Sequence, residues 1–414
     1  MTTIDEAEGT ATGPAPAGGS GSGDGRDDAT GKPQGKGRGR SPMSYLAPGT
    51  ASPWVGRLVF VAVAVALFLL PAMLGEPTRI RQFSEYLCYA MIAVGIDIAW
   101  GYGGMLVLGQ GLFFGLGAYA MGMYLTLENT KGDALPSFMG LYSDYTELPW
   151  LWKPFNSQAF AWVAAILVPM GLAALLGLLV FKRRIRGPYF AILTQAMALV
   201  FWLLLVGQLQ LTSGTNGLTN FSLTFGRNKF APSTPEFLYR LALIGLLVVI
   251  AVAWILMRSR YGKLLTAVRD GENRVRFLGY DPAVVKTIGF AVAAGMAGLA
   301  GALSAPIIGI VAPNQFTILP SILMVCWVAV GGRGAIWGAV LGAIVVSWTK
   351  TSVSEARPDD WTYIQGALFI LVVGFIPGGI VGLVRSGRAF VFGRGSRKDK
   401  LAALTHGVDP EVPA

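Results

Sequence analysis

The sequence predicts an all-α polytopic membrane protein of about ten transmembrane helices, with both termini cytoplasmic and some spans broken or re-entrant. Three observations carry this. Of 414 residues, 53% are hydrophobic and only 14% charged, with a mean hydropathy of +0.55; soluble domains carry about 25% charged residues. Long runs such as 58–74 and 364–384 hold no charge, and a span needs about 20 mostly apolar residues to cross about 30 Å of hydrocarbon. Lysine and arginine fall 24 to 9 between the alternate connections that ten spans define, and the richer side is cytoplasmic.

Residues 1–50 are rich in Gly, Pro, Ala and Ser with mixed charge. They cannot bury enough apolar surface to offset their ordering entropy, so they read as a disordered cytoplasmic tail. No apolar segment closely follows Met1, so no cleavable signal peptide is expected. The transmembrane body covers 51–386, with spans expected at 57–75, 82–100, 105–127, 158–181, 187–211, 238–257, 286–312, 316–332, 335–352 and 361–384. Glycine in the third and eighth marks them as candidates for breakage. Residues 387–414 read as a second cytoplasmic tail.

The formal charge of +10 does not indicate a nucleic-acid binder. The basic residues sit in short loops and tails, with no basic helix on a soluble module. Cys88 and Cys326 lie in apolar spans without a CxxC partner, and His406 is the only histidine. A metal site or histidine-based catalysis is therefore not expected, and no cofactor is implied. FGLGAYA (114–120) imitates a dinucleotide fingerprint but lies inside an apolar run without a preceding strand. No GxxxxGK[ST] occurs, so any ATP dependence must come from a partner.

The segment 258–285 differs from a plain linker. Leu264, Leu265, Val268, Val275, Phe277 and Leu278 form a broken apolar stripe in a charged stretch. Gly271 is expected to divide two short helices, and Asp281-Pro282 to end the second. Periodicity alone leaves two readings level: a cytoplasmic coupling helix that takes up motion from a nucleotide-binding subunit, or a surface helix on anionic headgroups. Gly111–Gly115, Gly334–Gly338–Gly342 and the triplet Gly295, Gly298, Gly301 predict close helix packing. Polar residues at membrane depth, Glu85, Asp97, Gln110, Thr194, Gln195, Gln208, Gln210 and Gln365, are costly there. They are mostly amides and hydroxyls, which suit a neutral hydrogen-bonding solute better than an ion. Structural contacts with loops or a sister chain are the competing reading.

Six ordered segments resemble permease subunits of the branched-chain amino acid type ABC importers, and within them the urea branch. These are GIDIAWGYGGMLVLGQGLFFGLGAYAMGMYL (95–125), RIRGPYFAILTQA (184–196), LTSGTNGLTNF (211–221), SRYGKLLTAVRDGENRVRFLGYDP (259–282), GGRGAIWGAVLGA (331–343) and FIPGGIVGL (375–383). Val107 and Gln110 stand where the wider family motif carries Ser and His. The resemblance implies a urea-translocating subunit of the inner membrane without an ATPase site of its own. Its implied partners are a sister permease subunit, two ATP-binding ATPase subunits, an extracytoplasmic urea-binding protein and membrane lipid. The implied solute pathway uses Gln110, Thr194, Gln195, Thr215 and Asn216. Leu264, Ala267, Arg269, Asp270, Glu272, Arg274, Phe277, Leu278 and Gly279 would couple it to the ATPases. Amino acid import is the alternative within the family, and an ion-coupled secondary transporter the alternative outside it.

Overall fold

The computed structural model describes residues 75–130, 135–142, 147–185, 187–219 and 221–356, with isolated positions at 67, 68, 71, 363, 366, 367, 370 and 379–382. Both expected tails and Gln365 lie outside the described residues, as do nearly all of the first expected span and most of the tenth.

Principal helices among the described residues are α1 Pro77–Tyr102, α2 Gln110–Asn129, α3 Gln158–Lys182, α4 Pro188–Gly207, α5 Thr234–Arg258, α6 Arg260–Phe277, α7 Pro282–Ile308, α8 Ile318–Gly331 and α9 Ile336–Ala356. Six of them, α1, α3, α4, α5, α7 and α9, are long and apolar enough to cross a membrane. The expectation of ten is not reproduced by that count. Helices dominate because hydrocarbon offers backbone groups no partners, so each segment must satisfy them internally.

Local chemistry sets the starts and stops. Proline opens α1, α4, α5 and α7 within their first two positions, where a missing N–H costs nothing. At α7 the Asp281 carboxylate also accepts the Ala283 N–H at 2.9 Å, a side-chain N-cap. Asp281-Pro282 therefore begins α7 and does not end the helix before it, which corrects the sequence expectation. That helix, α6, stops at Phe277, and the chain turns through Gly279 at φ +87°. Gly271 does divide α6, with φ −168° and ψ 73° in its middle.

Helices α1 and α7 form the centre, with 78% and 83% of their apolar stretches buried, against 33% and 28% for α3 and α4. Small residues permit this closeness. A Cβ at Gly117 of α2 would overlap the Gly298 backbone, and one at Gly301 would overlap the Phe114 carbonyl. Gly334 is not part of a helical glycine stripe: it lies in the turn before α9 at φ +74°. Around the close backbones, Phe113, Phe190 and Phe181 place ring edges against Phe290, with centroids 5.3, 5.3 and 6.5 Å away.

Contacts between connections sort into two ends. At one, the α6 end, Arg269 meets the Gly101 carbonyl and Asp97 meets Gly334. At the other, a hairpin of two-residue strands, Leu223–Thr224 and Arg227–Asn228, is held to the end of α2. There the Asn129 carboxamide oxygen accepts the N–H groups of Ser222 and Leu223, at 2.9 and 2.8 Å. Glu128 accepts from the backbone of Phe225 and Gly226 at the hairpin turn. Leu218 and Val311 exchange backbone hydrogen bonds of 2.8 and 2.9 Å at this same end.

Candidate translocation site

Two helices start inside the protein instead of at its ends. The sequence predicts a span at 105–127, but helix α2 begins only at Gln110, after a non-helical stretch of 103–109. Its N-cap, Gly109, has no side-chain cap. Helix α8, expected over 316–332, has 14 residues, about 21 Å at 1.5 Å per residue, too short for the hydrocarbon. The segment before it explains the deficit. Val311 faces Gly122 of α2, whereas Phe316 covers Gly115 and the Gln315 carbonyl lies against Gly111. Between Val311 and Phe316 the chain therefore runs back along α2 by seven residues, about 10 Å. Residues 309–317 enter the protein from the hairpin end without α-helix, and α8 continues from their inner end to the α6 end, so the two together make one broken crossing.

The two helix starts meet there. A Cβ at Gly111 would lie 2.6 Å from the Gln315 carbonyl oxygen and 2.8 Å from the Ser321 hydroxyl. Gly109 presses on the backbone of Thr194 in the middle of α4. Glycine is needed at both positions because neighbouring backbone occupies the space of a side chain.

Around this junction the polar groups are neutral and under-paired. Gln110 is fully buried; its Nε2 donates to the Ala293 carbonyl at 3.0 Å, while its Oε1 has no partner. Both amide atoms of Gln195 and the Oε1 of Gln315 are also inaccessible and unpaired. Thr194 turns its hydroxyl onto the Ala191 carbonyl at 2.9 Å. Stretches 105–127, 188–226 and 309–332, which supply these residues, contain no Asp, Glu, Lys or Arg. Buried amide groups without partners cost about 1–3 kcal/mol each, so each of these positions would favour an added hydrogen-bonding partner.

Thr215 and Asn216 do not join this group. They are exposed on the 3₁₀ turn Gly214–Asn216 near the hairpin end. Their turn is anchored by Gly217, at φ +67°, packed on the Val311 carbonyl. The predicted pathway residues thus divide into an inner set, Gln110, Thr194 and Gln195, and an outer pair. Sequence reasoning misses Gln315 and Ser321. The polar interruption PNQFT (313–317) inside an otherwise apolar stretch is the signal that could have found Gln315.

At the α6 end the residues of the apolar stripe and the predicted coupling residues occupy three kinds of position. Leu265, Val268 and Val275 are buried, and Leu264 is half-buried. Leu265 lies against Gly103 and Gly289. Glu272 pairs with Lys286 of α7 at 2.8 Å and Arg276 at 3.5 Å. Ala267, Arg269, Asp270, Arg274 and Gly279 are exposed. Phe277 and Leu278 are expected in the apolar stripe but point outward, 91% and 75% exposed, next to the exposed Tyr280. They end the segment in an unpaired apolar tip. Burial pushes the Tyr261 phenol well above its usual pKa, so it remains a neutral donor to the Val285 carbonyl at 2.8 Å.

Residues 80–373 match the family described as the permease component of the branched-chain amino acid transport system. This chain belongs to that family. It is 28% identical over 351 residues to the high-affinity branched-chain amino acid transport system permease protein LivM of Escherichia coli (strain K12), covering 80% of this chain and 76% of the relative. It is 23% identical to permease protein BraD of Pseudomonas aeruginosa, covering 71% and 91% of the two. Similarity to the autoinducer 2 import system permease protein LsrC of Photorhabdus laumondii is 28%, over 43% of this chain and 59% of that protein. No solved structure matches. The family and the apolar helices make the chain a multi-pass membrane permease. No enzyme family is indicated.

Proposed function

We propose that this chain is the translocating subunit of an ATP-binding-cassette importer for a small neutral amide, with urea as its solute. The observation that carries the reading is the junction of α2, α4 and segment 309–317, where Gln110, Gln195 and Gln315 each bury amide atoms without a partner, in stretches free of charge. Urea offers one carbonyl oxygen and four N–H groups, the complement of what Gln110, Gln195 and Gln315 leave unused. The segment 95–125 adds to this through its resemblance to the urea branch.

The basic excess puts the α6 end in the cytoplasm and the hairpin end outside. An extracytoplasmic binding protein then delivers solute at the hairpin end, past Thr215 and Asn216. Two ATPase subunits seat the apolar tip at Phe277 and Leu278, where apolar burial supplies the attachment. A sister permease covers the exposed apolar face of α3 or α4. Hydrolysis moves α6, and α6 opens the junction toward the cytoplasm.

Amino acid import is the second reading, favoured by the names of LivM and BraD. The starts of α2 and α8 would offer helix dipoles to a carboxylate, but the stretches that line the junction supply no carboxylate for an ammonium group. Labelled urea uptake by nitrogen-starved cells, with the gene deleted and restored, separates the two. Loss of uptake on deletion and rescue on restoration, without competition by leucine, supports urea. Unchanged urea uptake with loss of leucine uptake puts the amino acid reading first.

A further inference from the structure

The α6 end contains a junction that neither the apolar tip nor the solute site accounts for. The last residues of α1, Asp97–Tyr102, form a π-helical turn. Such turns insert a residue into a helix and recur at functional positions. This one brings three elements together. From α6, the Arg269 guanidinium donates to the Gly101 carbonyl, and its aliphatic stem lies across Gly104. From within the turn, the fully buried Asp97 carboxylate accepts the Gly334 N–H at 2.6 Å through Oδ1. Gly334 belongs to the tight turn joining α8 to α9. Across the same gap, the Arg333 guanidinium lies 4.8 Å from the Trp100 ring centroid.

Two details argue that this is more than packing. The second oxygen of Asp97, Oδ2, is buried without a partner, an arrangement that costs stability where an apolar residue would not. A Cβ at Gly101 would collide with both Asp97 and the Gly334 N–H, so the three groups fit only with glycine there. Helix α8 runs from segment 309–317 to Gly331, beside this turn, so a shift of the Gly332–Gly334 turn bears on Ser321 and the Gln315 region at the helix's other end.

We infer that Asp97 and Arg269 are positioning residues which join α6 to α8, so that displacement of α6 is transmitted through the π turn to the solute junction. The inference rests on the importer reading above. Arg269 grips the α1 terminus, and Asp97 passes its movement to the α8–α9 turn. The short half-helix α8 then carries it to the amide cluster as a rigid rod.

The test is a double-mutant cycle in the complete transporter, purified with its partner subunits and placed in proteoliposomes. The readout is urea taken up per ATP hydrolysed, a ratio that altered abundance alone does not move. Asp97→Ala and Arg269→Ala should each lower the ratio about tenfold, and the double variant should fall no further, because coupled sites are non-additive. Asp97→Asn, which keeps an oxygen for the Gly334 N–H, should restore most of the ratio. A hundredfold fall in the double variant, or unchanged ratios in the singles, overturns the junction while leaving the importer reading intact. A wild-type complex with no ATP-driven uptake of urea or leucine removes the importer reading and this inference with it. If Asp97→Ala fails to assemble, Arg333→Ala takes its place in the cycle, where the same pattern of ratios supports or overturns the junction.

Discussion

Replacing Gln110 by Leu separates stability from transport, and the contacts of the side chain set the size of each effect. Gln110 makes one hydrogen bond, from Nε2 to the Ala293 carbonyl, and buries an unpaired Oε1. Losing the bond costs about 1 kcal/mol, since Ala293 keeps its place in the α7 ladder, and deleting the unpaired acceptor recovers about 1–3 kcal/mol. The two side chains are similar in size, so overpacking adds little. The Gln110→Leu transporter should therefore be as stable as wild type, or more stable by up to about 2 kcal/mol. If the amides form the solute path, uptake should nonetheless fall at least about tenfold, the effect of losing about 1.4 kcal/mol of differential binding. Thermal unfolding of the purified complex and initial uptake rates, both normalised to protein, give the comparison. A variant that is less stable than wild type and loses uptake only in proportion to its abundance would overturn this, because Gln110 would then be structural.

Other residues give sharper contrasts. Gly298→Val should unfold at lower temperature, because its Cβ would collide with the Ala165 carbonyl and sit 2.8 Å from Pro169 Cγ; overpacking of this kind costs about 1–3 kcal/mol. Gly171→Val on α3, with nothing within 4 Å, should leave the unfolding temperature unchanged and serves as its control. Phe277→Asp should abolish co-purification of the ATPase subunits without shifting the unfolding of the permease itself, since Phe277 is 91% exposed. Asn129→Ala should loosen the hairpin by removing the acceptor for two backbone N–H groups, read as faster hydrogen exchange at Ser222 and Leu223 than at the centre of α7.

Most of the fold is legible where composition and periodicity agree. The long apolar runs form α3, α4 and α5 within a few residues of the expected bounds, and Gly271 breaks α6 as its spacing implies. The misses have physical causes. The stretches 105–127 and 316–332 are marked for breakage by their glycines, but the helix starts within them, at Gln110 and Ile318, are not legible. Hydropathy does not register where an apolar backbone leaves the helical conformation. Asp281-Pro282 reads as a stop, although an N-cap carboxylate followed by proline at the first position is equally a start. Phe277 and Leu278 fit the helical stripe, but the helix ends there and turns them outward. Of the site, Gln110, Thr194 and Gln195 are visible as polar residues in apolar runs. Gln315 is hidden because its significance depends on tertiary contact with Gly111, about 200 residues away in sequence.

The proposed function stands or falls on whether a charge-free amide junction in this chain passes a neutral solute under the drive of partner ATPases. Proteoliposomes of the whole complex, with ATP on the cytoplasmic side and the binding protein outside, allow labelled urea and labelled leucine to be followed side by side. ATP-dependent accumulation of urea is expected, abolished by Gln110→Leu, with leucine left at background. Accumulation of leucine alone, or urea flux that is indifferent to ATP, would contradict the proposal.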